Sequence, residues 1–105
     1  MQNSSDHLEI LLSLRKEIDD IDALIISLIS KRFRATAQVG ALKATHGLKP
    51  VDLEREEIQR QRYSQLAIKN NVSEETIIGV FRCLIDTVVA NHIAVAQTRT
   101  KSSDY

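Results

Sequence analysis

The sequence predicts an all-α fold of three helices, whose long first helix pairs with a second copy of the chain. Aromatic residues make up only 4% of the 105 residues, and there are just three glycines and one proline. This composition favours aliphatic helix packing over a β-sandwich or barrel. Apolar residues also recur with helical spacing in three successive segments. We expect a single domain over residues 1–105, with residues 1–6 and 100–105 frayed.

The first segment carries a heptad repeat between Asp6, a candidate N-cap, and Gly47, a stop signal. A helix over about residues 6–45 would be on the order of 60 Å long, whereas a compact domain of this size is about 33 Å across. The repeat would therefore be exposed without a partner, and a symmetric homodimer is the simplest structure that covers it. The ten repeat positions are Leu11, Leu14, Ile18, Ile21, Ile25, Leu28, Arg32, Ala35, Val39 and Leu42.

The second and third helices have clear start and stop signals. Asp52 is a good N-cap for a helix from Leu53 to about Lys69, which Asn70-Asn71 ends, and Ser73 caps a third helix that runs to about Thr98. We expect the second helix to bury a thin apolar stripe, and the third to bury a broader one. The stripes contain Ile58, Leu66 and Tyr63 in the second helix and Ile77, Phe81, Leu84, Ile85, Val88 and Val95 in the third.

Charge and cysteine content exclude several classes of protein. Fourteen basic residues balance fourteen acidic ones, so an extended phosphate-binding surface for nucleic acid is excluded. Cys83 is the single cysteine, and His7, His46 and His92 lack metal-ligand spacing. We expect no metal and no disulfide. We find no apolar run of the roughly 18–20 residues that span a membrane and no secretory signal, so we expect a cytoplasmic protein without a membrane partner.

Arg32 breaks the apolar repeat of the first helix. A buried guanidinium needs an anionic partner; a residue that sets the helix register and a ligand-binding residue are both open interpretations. Lys43 follows on the same stripe, roughly 16 Å further along the axis, so the two cations could flank a ligand. Arg15 faces about 100° away, so one copy cannot easily direct all three cations to one point, whereas Arg15 from the other copy of an antiparallel dimer could reach this site. Gly40 costs a helix about 1 kcal/mol relative to alanine, which suggests a close backbone approach there.

Two further groups of polar residues are candidates. Asp52, Arg55 and Glu56 share one face of the first turn of the second helix. They can form a helix cap with an exposed ion pair or part of a binding site. His92 lies one turn after Val88 on the apolar side of the third helix. It can be a hydrogen-bonded core residue or an ionisable group of a site.

The sequence resembles the all-helical AroQ-type chorismate mutases from about Leu8 to Thr98. The combined spacing of the cations and carboxylates is more specific than any single motif. The segments that carry the resemblance are Leu12–Ile18 with Ile21-Asp22, Ser30–Phe33, Val39–Lys43, Pro50–Glu56, and Val80-Phe81 through His92.

The resemblance implies an intertwined homodimer that rearranges chorismate to prephenate in the shikimate pathway, toward the aromatic amino acids Phe and Tyr. It implies no cofactor. Arg32 and Arg15 of the partner subunit would bind the two carboxylates, and Arg55 would help to order the site. Lys43 would donate to the ether oxygen of the substrate, where negative charge develops.

The resemblance further implies that Glu56 accepts from the ring hydroxyl, with Asp52 beside it. Two positions depart from the best-known pattern of the family: His92 stands where many members have Gln, and Val88 where a Ser is common. We hypothesise that His92 is a catalytic donor and that turnover is therefore sensitive to pH.

Three other functions remain open. An isochorismate pyruvate-lyase, which forms salicylate, shares this fold and its cations; apolar Val88 favours it and Glu56 disfavours it. A mutase of the amino analogue of chorismate is the second alternative. A non-catalytic helical dimerisation module is the third, but it does not explain cations in the apolar repeat.

Overall fold

The computed structural model describes the backbone of residues 4–103 and the side chains of residues 5–98. These residues form three helices, α1 (Ser4–Thr45), α2 (Leu53–Lys69) and α3 (Glu74–Ser103), and no strand. The prediction of an all-α fold with a long first helix is confirmed. Helix α1 begins two residues before Asp6, and α3 continues five residues beyond Thr98. Part of each predicted frayed end, residues 1–3 and 104–105, lies outside the described backbone.

The chain divides into two units, an N-terminal unit that ends at Arg34 and a C-terminal unit that begins at Ala35. The N-terminal unit consists of a single stretch of α1, so it has no second element against which to pack within itself. Its apolar side chains are exposed accordingly: even Leu11 retains 41% of its surface and Ile26 retains 68%. The other exposed apolar residues of this unit are Leu8, Ile10, Leu12, Leu14, Ile18, Ile21, Leu24, Ile25 and Leu28.

The C-terminal unit has a small core between α2 and α3. Tyr63 is 9% exposed, and its ring stacks on Phe81 with centroids 4.2 Å apart and an angle of 17° between the ring planes. Ala67, one turn after Tyr63, is 2% exposed. Stacked aromatic pairs contribute about 0.5–1.5 kcal/mol beyond the apolar area they bury. This pair fixes the packing of α2 on α3.

The predicted apolar stripe of α2 is wrong in two of its three members. Ile58 is 54% exposed and Leu66 37% exposed, whereas Tyr63 is buried as expected. The inward stripe instead follows Glu56 and Gln59, which are half-buried, and then Tyr63 and Ala67. An inward face that starts with a carboxylate and an amide indicates that α2 faces a polar site at its N-terminal end.

Both inter-helix loops begin with a left-handed residue that ends the preceding helix. At the end of α1, Gly47 has φ 64°; its N–H donates to the carbonyl of Ala44 (3.4 Å), and the N–H of Leu48 donates to that of Lys43 (2.8 Å). This pair of bonds is a Schellman motif, which satisfies carbonyls that the helix leaves without an intrahelical donor. The predicted stop signal at Gly47 is confirmed.

Asn71 ends α2 in the same way. It has φ 55°, and its N–H donates to the carbonyl of Ile68 (3.2 Å), while the N–H of Val72 donates to that of Ala67 (2.9 Å). The predicted N-caps are also present. The Oδ1 atom of Asp52 accepts from the N–H of Arg55 at 3.0 Å, and Oγ of Ser73 accepts from the N–H of Thr76 at 3.2 Å.

Part of α3 is long and apolar enough to cross a membrane, so the expectation of no such stretch is wrong for Glu74–Thr98. Arg82 and Asp86 are the charged residues between positions 76 and 98, and only 11% of the most apolar window is buried. Length and composition alone are weak evidence for a membrane span, because an apolar helix of a soluble protein passes the same test. The absence of a membrane partner stays a prediction.

Candidate functional site

The N-terminal unit holds two of the predicted site residues, Arg15 and Arg32. Arg15 is exposed, beside an exposed ion pair in which Nζ of Lys16 lies 2.9 Å from Oδ2 of Asp20. Arg32 is half-buried, and its Nη1 atom has less than 1 Å² of exposed surface. A guanidinium nitrogen that is withdrawn from water favours an anion as its neighbour. The approach of these two arginines to the other site residues stays a prediction.

Lys43 is held by the loop that follows α1. Its Nζ atom donates to the carbonyl oxygen of Pro50 at 3.2 Å, and the side chain is half-buried. Its backbone carbonyl accepts the N–H of Leu48 in the Schellman motif. Lys43 is therefore bonded to the loop at two positions, Leu48 and Pro50. An ammonium group has three N–H donors, so the bond to Pro50 leaves two of them for a ligand.

Asp52, Arg55 and Glu56 form the first turn of α2, as predicted. The carboxylate of Asp52 is the helix cap, so one of its oxygens is already engaged with the backbone. Arg55 is exposed and Glu56 half-buried. The cap interpretation of this cluster is correct for Asp52, while Arg55 makes no ion pair with Glu56 among the described contacts. Arg55 and Glu56 thus keep their charges available at the end of α2 nearest the loop.

A cleft of about 290 Å³ opens between α2 and α3 and includes Glu56. Its apolar wall is made by side chains from both helices, and its charged residues are of both signs. Arg82 is a cation that the sequence argument missed, because a lone arginine on a helix gives no signal without knowledge of which face packs. The lining residues are Leu53, Tyr63, Ile78 and Ile85 on the apolar side and Glu56, Glu57, Arg60, Arg82 and Asp86 on the charged side.

Two of the charged residues of the cleft neutralise each other. Arg60 donates to both carboxylate oxygens of Glu57, at 2.6 Å and 3.0 Å. The hydrogen bond from Arg60 lowers the pKa of Glu57, with the charge of Arg60 and a hydrogen bond from Gln61 acting in the same direction. Arg60 is thereby engaged on its own helix, which leaves Glu56 as the half-buried carboxylate of the cleft.

His92 is a buried residue that contacts α1. It is 6% exposed, and its Nε2 atom lies 2.8 Å from the carbonyl oxygen of Thr36. A β-carbon added at Gly40 would come within 2.5 Å of Cδ2 of His92, so the close backbone approach expected at Gly40 is confirmed. Thr36 was not singled out from the sequence, because a backbone carbonyl carries no residue-type signal. Val88, one turn earlier on α3, is half-buried.

The C-terminal unit thus holds six of the eight predicted site residues on three elements. Lys43 lies at the end of α1; Asp52, Arg55 and Glu56 lie at the start of α2; Val88 and His92 lie on α3. The structure joins Lys43 to the loop and His92 to α1 by hydrogen bonds. No described contact joins Lys43 to Glu56 or His92 to Lys43, and the roles of all eight residues stay predictions.

Comparison with known proteins identifies one family. The family model described as chorismate mutase type II matches residues 14–93, a range that contains all eight predicted site residues. The chain is 35% identical over 79 residues to a chorismate mutase of Methanocaldococcus jannaschii, an alignment that covers 75% of this chain and 80% of that protein.

Two longer proteins are also similar. The chain is 33% identical over 79 residues to a bifunctional chorismate mutase/prephenate dehydratase of Buchnera aphidicola subsp. Schizaphis graminum, covering 75% of this chain and 20% of that protein. It is 37% identical over 84 residues to a T-protein of Haemophilus influenzae, covering 80% of this chain and 22% of that protein. The chain spans about a fifth of the length of these two relatives.

Proposed function

Because the chain belongs to the chorismate mutase type II (AroQ) family, we propose that it is an isomerase that converts chorismate to prephenate. In this rearrangement a carbon–oxygen bond breaks as a carbon–carbon bond forms within one molecule. No proton has to be transferred and no covalent intermediate is needed. The protein has to hold the substrate in its reactive conformer and to place donors at the ether oxygen. The observation that carries the proposal is the family match over all eight predicted site residues.

The proposed active form is an intertwined homodimer in which Arg15 of the partner subunit completes each site. The exposure of the N-terminal unit supports this. Its apolar residues include Leu12 and Ile26, at 62% and 68% exposed, which lie off the heptad repeat on another face of the helix. One helix packed along the repeat would leave that face uncovered. Two interlocked chains would pack against more than one face of this helix, and they would cover more of its apolar surface than a simple coiled coil covers.

In the proposed site, Arg32 and Arg15 of the partner subunit bind the two carboxylates of chorismate. Lys43 donates to the ether oxygen and to a carboxylate, and the two N–H groups it has beyond the bond to Pro50 suffice for both. The preformed contact with Pro50 supports this role, because a donor that is already oriented needs little reorganisation when charge develops.

The residues of α2 and α3 complete the proposed site. Glu56 accepts from the ring hydroxyl, and its half-buried position in the cleft supports a ligand contact. Arg55 adds positive charge, and Asp52 fixes the first turn that presents both residues. Val88 contributes an apolar contact.

His92 is the proposed second donor to the ether oxygen, and its geometry restricts how it can act. A carbonyl oxygen only accepts, so the bond to Thr36 places a proton on Nε2. While this bond lasts, donation to a ligand has to come from Nδ1, which carries a proton only in the imidazolium form. We therefore propose that turnover is sensitive to pH. We further propose that the reaction takes place in the reducing cytoplasm, which the lone exposed Cys83 supports.

The decisive experiment is to measure prephenate formation from chorismate by the purified protein. Arg32→Ala should lower kcat/KM by about 10- to 150-fold, because a charged hydrogen bond to a carboxylate contributes about 1.5–3 kcal/mol. Arg34→Ala is the matched control: Arg34 is exposed on the same helix and contacts Ser30 at 3.5 Å. Equal rates for both variants would contradict the assignment of Arg32.

The same assay separates the alternatives. Salicylate and pyruvate from isochorismate would identify a pyruvate-lyase, which the half-buried Val88 favours. Turnover of the amino analogue only would identify the related mutase. If no substrate reacts and a bicyclic dianionic transition-state analogue fails to bind, the chain is a dimerisation module, since an enzyme of this kind binds such an analogue more tightly than its substrate.

A further inference from the structure

We propose that His92 is also a positioning residue, whose imidazole ring docks the last three turns of α1 onto α3 and thereby sets the position of Lys43. The inference rests on the proposed function, in which Lys43 donates to the ether oxygen. It adds to the proposed donor role of His92 a second role that needs no contact with substrate. It also gives Gly40 a function in the site.

The hydrogen bond of His92 is the first part of the evidence. The carbonyl oxygen of Thr36 has two lone pairs and lies within a helix, where one lone pair serves the backbone ladder. Nε2 of His92 supplies a second bond to it at 2.8 Å, from a ring that is 6% exposed. Loss of this bond would leave a buried N–H without an acceptor, which disfavours rotation of the ring away from α1.

The contact at Gly40 is the second and independent part. An added β-carbon would lie 2.5 Å from Cδ2 and 2.9 Å from Nε2 of the His92 ring. Distances this short between heavy atoms without a covalent or hydrogen bond are not tolerated. The ring therefore lies directly on the backbone of α1, and only glycine permits this approach. Glycine weakens a helix interior, so its presence here is explained by the ring.

The contact of the His92 ring with Thr36 and Gly40, which we call the clamp, acts on Lys43 because Gly40 and Lys43 belong to one stretch of helix. Lys43 lies three residues, or about 4.5 Å of helix axis, beyond Gly40. Lys43 is also hydrogen-bonded to Leu48 and Pro50, so the loop that contains them moves with it. Glu56, in contrast, is placed on α3 by the stacking of Tyr63 on Phe81. Helix α3 is therefore the common support, and a shift of α1 at His92 changes the spacing between Lys43 and Glu56.

A double-mutant cycle between Gly40 and His92 tests the clamp. Gly40→Ala should lower kcat by about 10- to 100-fold, with a smaller change in KM, because small misplacement of a catalytic donor has effects of this size. In a His92→Ala background, the same Gly40→Ala change should alter kcat by less than about threefold, because the ring it collides with is gone. The melting temperature without ligand should follow the same pattern.

Equal effects of Gly40→Ala in the two backgrounds would overturn the proposal. The matched control is Gly79→Ala, at a helical glycine with nothing within 4 Å of the added carbon, which should leave kcat unchanged. If Gly40→Ala does not fold while Gly40→Ala with His92→Ala does, that result also supports the clamp, since the second change removes the collision.

Conservative replacement provides a second test that does not use Gly40. The amide of glutamine reaches the position of Nε2, whereas that of asparagine reaches only the position of Nδ1. His92→Gln should therefore keep the ligand-free melting temperature, and His92→Asn should lower it as His92→Ala does. Retention by Asn and loss by Gln would overturn the proposal. Nitrogen-15 spectra of the imidazole should show the proton on Nε2, and a proton on Nδ1 alone would overturn it as well.

The two proposals fail separately. If the wild-type protein does not form prephenate, the proposed function fails, while the melting temperatures of the cycle still test the contact between His92 and α1. If the wild type is active and the cycle is additive in both kcat and melting temperature, the clamp fails and the function stands.

Discussion

The two units of the chain differ in how much of their apolar surface is buried. In the C-terminal unit, α2 and α3 bury Tyr63 and Ala67 between them, and the ring of His92 is 6% exposed against α1. In the N-terminal unit, each large aliphatic side chain from Leu8 to Leu28 is at least 41% exposed. A single helix has no means of covering its own apolar face. The N-terminal unit therefore leaves its apolar face exposed, and the C-terminal unit has a core and a cleft of its own.

This difference explains why the proposed site is divided. Lys43, Glu56 and His92 are held by hydrogen bonds, stacking and packing inside the C-terminal unit. Arg15 and Arg32 lie in the N-terminal unit, for which we propose a partner copy. Assembly and substrate binding would then use the same residues, so that a lone copy lacks part of the positive charge that the substrate needs.

The largest effect is expected from a charge in the apolar repeat. Ile25→Glu should weaken the dimer by at least about 3 kcal/mol, or more than 100-fold in Kd, because it places a carboxylate without a partner in the interface. Prephenate formation at micromolar protein should fall with the dimer. Sedimentation velocity measures the first effect and the mutase assay the second.

Ser27→Glu is the control for this experiment, since it adds the same side chain two residues away on the side of α1 opposite the repeat. A dimer that survives Ile25→Glu but dissociates with Ser27→Glu would show that a different face of α1 is the interface. A monomer that stays fully active with either change would reject the need of the N-terminal unit for a partner.

A smaller effect should come from two glycines of the C-terminal unit, Gly47 in the loop after α1 and Gly79 within α3. Gly47→Ala should destabilise the fold by about 1 kcal/mol, because φ at this position is 64° and alanine is strained there. Gly79→Ala should stabilise it by up to about 1 kcal/mol, because alanine is the better helix former and has room. Urea unfolding monitored by circular dichroism distinguishes these opposite signs, and two changes of the same sign would contradict the role assigned to Gly47.

The smallest effect is expected from surface charge. A small effect in both units would show that surface ion pairs do not cause the difference between the two units. The pKa of Glu57 is lowered by Arg60, so this pairing contributes stability above the ordinary carboxyl pKa and is lost as the pH falls through the lowered value. Arg60→Gln should return the pKa of Glu57 toward its ordinary range in an NMR titration. Its melting temperature should change by less than about 2 °C, as should that of Lys16→Gln in the N-terminal unit.

The helices could be predicted from sequence because their signals are local. Asp52 and Ser73 cap the helices they were expected to cap, and Gly47 and Asn71 end the two preceding helices. The inward face of α2 could not be predicted in the same way. Ile58 and Leu66 look like a buried stripe, but the face that packs follows Gln59, Tyr63 and Ala67. Which face packs depends on the neighbouring helix, and an interface with a second chain draws apolar residues to other faces.

The candidate site was predictable to the level of residue type and spacing. Arg32 and Lys43 stand out because cations interrupt an apolar repeat, and His92 because it continues an apolar face. The partners that hold them did not stand out, since Thr36 and Pro50 act through backbone carbonyls, which every residue has. Gly40 is the exception, because a glycine inside a helix is unfavourable and by itself indicates a close contact, which the structure shows with His92.

The stacked pair of Tyr63 and Phe81 gives the protein a natural optical label. The chain has no tryptophan and only two tyrosines, of which Tyr63 is the one on α2 and lies against an aromatic ring at 4.2 Å. Tyrosine fluorescence and near-ultraviolet dichroism from this ring should therefore report melting of the α2–α3 pair. Far-ultraviolet dichroism is weighted toward α1, the longest of the three helices at 42 residues. Melting curves recorded at the two wavelengths would show whether unfolding of α1 and loss of the core between α2 and α3 are one event or two.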